Sequence, residues 1–150
     1  MEWRRGEYEV SDDPARLDRA AIHGFLAGTY WSQGIPRETV ERALENSLCV
    51  GLYHGGATAG LARAVTDRAT FAYVCDVFVA PEHRGKGLGK WLVERLLAHP
   101  DLAGLRRICL MTRDAHTLYH SLGFTPMRDP APYLEIHRPD VYRSAPEAAT

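Results

Sequence analysis

The sequence has few of the side chains that build disulfide-bonded or metal-binding domains. It contains three cysteines, Cys49, Cys75 and Cys109, an odd number without a C-x-x-C pair. This count argues against a disulfide framework and against a cysteine-rich zinc site, so we expect all three to be small buried hydrophobic residues. The seven histidines form no H-E-x-x-H motif of the kind found in zinc enzymes, and we predict no metal site.

The chain also has no excess of either charge and no long apolar run. A net charge of −1 and an isoelectric point near 6.6 give no reason to expect nucleic acid or an anionic membrane as a partner. No stretch approaches the roughly 20 apolar residues that cross a membrane. Residues 1–6 lack the apolar core of a signal peptide, so a cytoplasmic protein is expected.

A glycine-rich turn is present at residues 84–89, but it matches neither of two common nucleotide-binding motifs. A P-loop requires glycine where Arg84 stands, and serine or threonine where Trp91 stands. The dinucleotide motif G-x-G-x-x-G also fails, because the glycines occupy positions 85, 87 and 89. A P-loop-like nucleotide binder is therefore disfavoured.

The turn joins a predicted strand to a predicted helix, which is an arrangement suited to binding an anion. Residues 71–79 are rich in Val, Phe and Tyr and predict the strand, which Pro81 ends. After the turn, apolar residues recur at helical spacing: Leu88, Trp91, Leu92 and Leu96. Unpaired N–H groups and the helix dipole attract a phosphate to such a helix start, and glycines let it approach the backbone. The turn could also be merely flexible and bind nothing.

The spacing Arg84-x-x-Gly87-x-Gly89 resembles the acetyl-coenzyme A site of the GNAT superfamily of N-acetyltransferases. The signature of that superfamily is Arg or Gln, then Gly three positions later, then Gly or Ala two positions after that. The resemblance implies that acetyl-CoA is the acyl donor. Its pantetheine arm is expected along the backbone of Val77, Phe78 and Val79, where two parallel strands splay apart. Its pyrophosphate is expected at Arg84, Gly85, Lys86, Gly87, Leu88, Gly89 and Lys90.

The order of elements along the chain is also similar to that superfamily. We predict strands over residues 7–10, 48–53, 58–66, 71–79, 107–112 and 133–137. Tight connections make the strands between residues 48 and 79 antiparallel, whereas a helical crossover makes residues 71–79 and 107–112 parallel. The predicted fold class is α+β (mixed α/β), a central sheet of about six to seven strands flanked by about four helices. Residues 1–138 are expected to form one domain, and residues 139–150 a loose tail.

Four helices are expected around this sheet. Asp13 caps and Pro14 begins the first helix, which should bury Leu17, Ala20, Ala21, Gly24 and Phe25. Residues 37–45 form the second, after Pro36, and the third follows the glycine turn. Asp114 is expected to cap a short fourth helix that ends at Gly123.

The second part of the likeness is the segment Tyr119-x-x-x-Gly123-Phe124. In GNAT enzymes with this spacing, the tyrosine lies beside the cofactor, so the resemblance implies that Tyr119 protonates the departing coenzyme A thiolate. An O–H donor within reach would stabilise that thiolate. Tyr119 could instead be a core aromatic residue whose hydroxyl bonds the backbone. The likeness covers about residues 7–137, with one departure: Asp114 stands where many relatives have an asparagine near the pantetheine.

A general base is harder to assign. Asp76 lies on the same strand as Val77, Phe78 and Val79, and alternation would turn Cys75 and Val77 to the face opposite to it. If Asp76 lines the cleft, its carboxylate could deprotonate an incoming ammonium directly or through water. A hydrogen-bonded structural aspartate is an equally open interpretation.

The acceptor is expected to be small. The loop between the first two helices carries Tyr30 and Trp31 side by side, which predicts an apolar wall that could also hold a cation over a ring face. Trp31 could instead fill the core. The function predicted from the resemblance is acetyl transfer from acetyl-CoA to a primary amine, by direct attack in a ternary complex of a cytoplasmic protein that could be a homodimer. The alternative is a sensor of the same fold that binds acyl-CoA without turning it over.

Overall fold

The computed structural model describes residues 1–143, and six of its strands form one mixed sheet. They are β1 (Glu2–Arg5), β2 (Tyr8–Ser11), β3 (Leu48–His54), β4 (Ala57–Thr66), β5 (Phe71–Val79) and β6 (Arg107–Leu110). The strands lie side by side in their sequence order. The first four neighbouring pairs are antiparallel, and β5 pairs with β6 in parallel. The predicted fold class is confirmed.

Helices cover both faces of the sheet. They are α1 (Arg19–Leu26), α2 (Arg37–Glu45), α3 (Leu88–Leu97) and α4 (His116–Ser121). The predicted stripe of α3 packs with Val50, Ala62 and Val74 on one face, while α1 and α2 pack on Leu61 and Phe78 on the other. Each fully buried Leu or Val side chain in these two clusters stabilises the fold by about 1.5–3 kcal/mol relative to exposure.

The N-terminal region differs from the prediction in two ways. Residues 2–5 form an additional edge strand, β1, which pairs with β2. Asp13 does cap a helical turn that begins at Pro14, but this is a 3₁₀ turn of three residues. The α-helix starts at Arg19, where the side chain of Asp18 accepts a hydrogen bond from the backbone N–H of Ala21 at 3.0 Å. A second capping aspartate five residues after the first therefore sets the helix start.

The buried face of α1 is also shifted from the prediction. Its fully buried residues are Ile22 and Leu26, while Ala20, Ala21 and Gly24 are exposed, and Leu17 and Phe25 are partly buried. Ile22 and Leu26 are four residues apart, so their long apolar side chains lie on one face of the helix and pack against Leu61 and Phe78 of the sheet. The predicted bounds of α2 and β5 are confirmed.

The C-terminal region departs most from the prediction. Asp114 does not cap α4; the Oγ1 atom of Thr112 instead accepts from the N–H of Ala115 at 3.0 Å. Residues 133–137 form no strand, and Leu134 and Ile136 are 94% and 84% exposed. Their alternating pattern supplies strand propensity, but a strand forms only where a neighbour completes the hydrogen-bond ladder.

The predicted loose tail is described only in part. Residues 139–143 follow without helix or strand, and the backbone of Tyr142 approaches Gly34 in the loop between α1 and α2. Residues 144–150 of the predicted tail lie outside the described residues. Among residues 1–143, no helix has the length and apolar character that crossing a membrane requires.

Candidate active site

The glycine turn lies between the 3₁₀ turn Pro81–His83 and α3. Gly85 and Gly87 have φ angles of 80° and 73°, which side chains with a Cβ rarely adopt, and Gly87 is the residue before the helix. A Cβ added at either glycine would meet no atom within 4 Å, so this side of the turn is open. The first helical hydrogen bond runs from the N–H of Trp91 to the carbonyl of Gly87, at 3.2 Å. The N–H groups of Leu88, Gly89 and Lys90 therefore point out of the helix start without a helical acceptor.

Most side chains of the predicted cofactor residues turn away from this opening. The Nε atom of Arg84 donates to the carbonyl of Val79 at 2.9 Å, and the Nζ atom of Lys86 donates to the hydroxyl of Tyr8 at 3.1 Å. Leu88 is buried in the core under α3, and Lys90 is exposed. The turn therefore offers chiefly backbone N–H groups to an anion.

A gap opens between β5 and β6 next to this turn. The two strands pair from Phe71–Arg107 to Val74–Leu110, and their pairing ends there. Beyond that point lies a cavity of about 600 Å³ between the diverging strands. Val77 lines the cavity. The ring of Phe78 instead stacks on the ring of Phe25 on the α1 face, with ring centroids 3.8 Å apart. Phe78 can thus contribute only its backbone to a ligand in the gap.

A β-bulge at Asp76 changes the direction of the side chains in β5. Asp76 and Val77 together oppose the single residue Ala62, and Asp76 has a positive φ of 50°. Cys75 pairs with Arg63 and so faces the same side as Asp76, while Val77 packs with the core under α3. The expectation that Cys75 and Val77 both oppose Asp76 is therefore wrong for Cys75, because the bulge interrupts the alternation.

The carboxylate of Asp76 is held by two donors. Its Oδ2 atom accepts from the Nε atom of Arg63 at 2.8 Å, and its Oδ1 atom accepts from the indole N–H of Trp31 at 2.9 Å. The side chains of Arg63 and Asp76 are only 15% and 11% exposed. Burial by itself lowers the pKa of Arg63, but the adjacent carboxylate of Asp76 outweighs burial and raises it. Arg63 therefore stays charged, and the bond from Trp31 to Asp76 ties the aromatic loop to β5.

Tyr119 lines the same cavity from α4. Its side chain is largely buried and packs edge-to-face on Phe124, with ring centroids 5.8 Å apart. Its hydroxyl has no hydrogen-bond partner among the described residues. Burial raises the pKa of this phenol, and the negative charge of Asp114 raises it further. Tyr119 is consequently protonated at neutral pH and is available as a donor.

The aromatic loop forms one wall of the cavity. Tyr30 and Trp31 are 52% and 44% exposed, and their rings meet edge-to-face at 5.1 Å. The alternative interpretation, in which Trp31 fills the core, is therefore wrong. The guanidinium of Arg113 lies 3.7 Å from the ring centroid of Tyr30 and covers one face of that ring, so a ligand cation on that face would meet a like charge. No side-chain cation among residues 1–143 lies over the ring of Trp31.

The structure adds residues that the sequence reasoning missed. Arg63 lies in the interior of β4 between apolar neighbours, and such a charged residue in a buried strand is a signal for an ion pair. His137 and Pro139, from the C-terminal segment, also line the cavity. Cys75 lines it as well, and burial raises the pKa of its thiol to about 11.

Two histidines on α4 have the H-x-x-x-H spacing that metal-binding helices use, and the sequence reasoning overlooked this pair. His116 and His120 are four residues apart, with ring centroids separated by 6.3 Å. The Nδ1 atom of His120 is 2.9 Å from the carbonyl of Phe124. Within residues 1–143, no group of three or more His, Cys, Asp or Glu side chains could hold a metal ion.

Comparison with known proteins agrees with this geometry. The model of the acetyltransferase (GNAT) family matches residues 17–124, which include α1, the glycine turn and Tyr119. The chain belongs to the GNAT family. As a member of that family it is an acetyltransferase, and the family uses acetyl-CoA as the acyl donor.

Several relatives match over most of the chain. FG08082 of Gibberella zeae, whose name places it among acetyltransferases, is 34% identical over 85% of this chain and 84% of its own. A rice protein named serotonin N-acetyltransferase 2, chloroplastic, is 36% identical over 78% of this chain and 61% of its own. A crystal structure assigned to the GNAT family, from Xanthomonas campestris pv. campestris, has a TM-score of 0.88 at 47% identity. It covers 90% of this chain and 96% of that one.

Proposed function

We propose that this GNAT protein transfers the acetyl group of acetyl-CoA to a primary amine of a small acceptor, by direct attack in a ternary complex. The observation that supports this most strongly is the hydroxyl of Tyr119. It is held in the gap between β5 and β6, largely buried, protonated at neutral pH and without a partner among residues 1–143. A phenol donor that faces the cavity and has no partner among the described residues suits a negative charge that appears only during reaction.

The donor would lie along the gap, with its phosphates at the glycine turn. The open space at Gly85 and Gly87 and the outward N–H groups of residues 88–90 fit a pyrophosphate. The edge of β5 that pairing with β6 leaves free, next to Val77 and Val79, fits an extended pantetheine arm that bonds like an added strand. Bound there, acetyl-CoA supplies the thioester that the acceptor attacks.

Direct attack is favoured over an acyl-enzyme intermediate on Cys75. With its pKa raised to about 11, the Cys75 thiol has almost no thiolate at neutral pH and is a poor nucleophile. In the proposed reaction the amine nitrogen forms a bond to the thioester carbon and the carbon–sulfur bond breaks. Tyr119 gives its proton to the leaving sulfur, and the proton lost from the amine goes to a base.

Asp76 is the proposed base. Each of its oxygens already accepts one hydrogen bond, but a carboxylate oxygen can accept a second, so the group could still take a proton from a bound ammonium. Asp76→Asn tests this role. If Asp76 is the base, the variant loses activity near pH 7 and recovers it as pH rises and more of the acceptor is free amine. A rate that falls equally at every pH assigns Asp76 to holding Trp31 instead.

The proposed acceptor is a small amine with an apolar or aromatic portion. The uncovered ring of Trp31 and the charge of Asp76 lie on one side of the cavity, which suits a cationic amine joined to a flat apolar group. The name of the rice relative, a serotonin N-acetyltransferase, supports the same class, because serotonin is an aromatic ethylamine.

The decisive experiment measures products with a panel of amines. We expect thiol release from acetyl-CoA to equal the amount of acetylated amine, to be fastest with arylalkylamines, and to saturate in both substrates. A sensor of the same fold would bind CoA and release no thiol with any acceptor. Acetylation of a polybasic peptide in preference to every small amine would overturn the acceptor class but not the acetyl transfer.

A further inference from the structure

Three side chains connect β2 to the glycine turn. Tyr8, on β2, is 9% exposed, and its hydroxyl lies 2.8 Å from the Nδ1 atom of His83 and 3.1 Å from the Nζ atom of Lys86. His83 ends the 3₁₀ turn just before Arg84, and Lys86 lies within the glycine turn. A single hydroxyl therefore contacts residues on both sides of the segment Arg84–Gly85.

The chemistry of these contacts is complementary. A phenol has one proton to give and lone pairs that accept. The ammonium of Lys86 can only donate, so Tyr8 accepts from it and keeps its own proton, which it can donate to the Nδ1 atom of His83 when that atom carries no hydrogen. The ring of His54 packs beside both aromatic rings, 4.8 Å from Tyr8 and 5.0 Å from His83. Each group at this junction thus has a defined partner.

The turn itself has little else to fix its shape. Glycines with positive φ have no side chain that could pack, and they lose more conformational freedom on ordering than any other residue. Apart from the bond between Arg84 and the carbonyl of Val79, the side-chain hydrogen bonds of the described turn are those that Tyr8 receives or shares. Order in this turn therefore depends on a residue about 75 positions earlier in the chain.

We propose that Tyr8 is a positioning residue for the phosphate turn. Its hydroxyl fastens His83 and Lys86 to β2 and so keeps the backbone N–H groups of the turn in the arrangement that receives the pyrophosphate of CoA. This inference rests on the proposed placement of the donor. It adds a residue from the N-terminal hairpin, outside the residues 17–124 that match the family, to the determinants of donor affinity.

The test compares Tyr8→Phe with Tyr53→Phe by calorimetric titration with CoA. Tyr53 is a second buried tyrosine, on β3, whose hydroxyl lacks a partner among the described residues, so its removal controls for the loss of a buried phenol oxygen. We expect Tyr8→Phe to weaken CoA binding about three- to tenfold, which is the value of one or two hydrogen bonds, and Tyr53→Phe to leave it unchanged. Amide hydrogen exchange at residues 84–90 should accelerate in Tyr8→Phe alone.

Kinetics and a double variant separate positioning from general destabilisation. Tyr8→Phe should raise the KM for acetyl-CoA and leave both kcat and the acceptor KM at their parental values. Because Tyr8 acts partly through Lys86, the double variant with Lys86→Met should lose less affinity than the sum of the losses in the two single variants. Additive losses, or a CoA affinity of Tyr8→Phe equal to the parent's, would overturn the role of Tyr8 and leave the proposed donor site intact. A parent protein that binds no CoA would overturn both.

Discussion

The proposed donor side and the proposed acceptor side of the cleft are built in different ways. The donor side consists of backbone groups supplied by one continuous segment, from β5 through the glycine turn to the start of α3. The proposed acceptor side and the proposed acid are side chains from separate segments, since Trp31, Asp76 and Tyr119 line one cavity and Arg63 pairs with Asp76. A site made of local backbone leaves a compact motif in the sequence. A site made of distant side chains leaves only single residues, whose meeting depends on the whole fold.

The largest expected effect tests whether the acceptor side carries the chemistry. Tyr119→Phe should lower kcat by about 10²–10⁴-fold, because the proton for the leaving thiolate is lost, while affinity for acetyl-CoA stays nearly intact. Because burial raises the pKa of Tyr119, the parent should show no loss of activity from its ionisation at neutral pH. Steady-state kinetics and CoA titration measure both effects. Weaker CoA binding with an unaltered chemical step would make Tyr119 a packing residue.

The second effect concerns the ion pair that connects the acceptor loop to the sheet. Arg63→Met leaves the carboxylate of Asp76 in a largely buried position without its cation, and should cost about 3 kcal/mol of unfolding free energy. Adding Asp76→Asn should restore part of that loss, because the uncompensated charge is removed. Urea denaturation of the two variants checks this. Equal stability of the single and double variants would show that the pair is screened by water.

The third effect addresses the donor side alone. CoA at 100 times its dissociation constant should stabilise the parent by about 2.7 kcal/mol, and Gly87→Val should abolish that gain. Gly104→Val is the matched control, since Gly104 has a φ of 75° and equally open surroundings but lies before β6, away from the turn. Both variants carry the same backbone strain, and only the first should lose the thermal shift with CoA. An undiminished shift in Gly87→Val would falsify this placement of the pyrophosphate.

The smallest expected effect concerns Trp31 in the aromatic loop that forms one wall of the cavity. Trp31→Ala should raise the acceptor KM about tenfold, with little change in melting temperature because the side chain is 44% exposed. Trp31→Phe, which retains a ring but loses the bond to Asp76, should fall between the parent and the alanine variant. A large loss of melting temperature in Trp31→Ala would assign the residue to the core instead.

The features that could be predicted from the sequence are those built from residues close together in the chain. Periodicity and local turn chemistry placed α2, β5, the glycine turn and the parallel β5–β6 pair, because each depends on neighbours in the chain. The bulge at Asp76, the ion pair with Arg63 and the contact between Tyr8 and Lys86 depend on the register between strands, which periodicity does not encode. The predicted strand at residues 133–137 was wrong for the same reason, because its alternating pattern is present but no strand within residues 1–143 pairs with it.

The bulge in β5 interrupts the alternation of side chains between the two faces of the sheet. Ahead of it, Ala72 and Val74 point into the apolar layer under α3, and behind it Val77 and Val79 do so. An unbroken two-residue rhythm would send Asp76 and Phe78 into that layer, placing a carboxylate among leucines and withdrawing Phe78 from its stack on Phe25. Deleting Asp76 would give a regular strand in which Val77 and Val79 still face that layer, but it would remove the carboxylate that Arg63 and Trp31 hold. The extra residue at the bulge therefore lets β5 keep its apolar residues in the core under α3 while it places one carboxylate at the cleft.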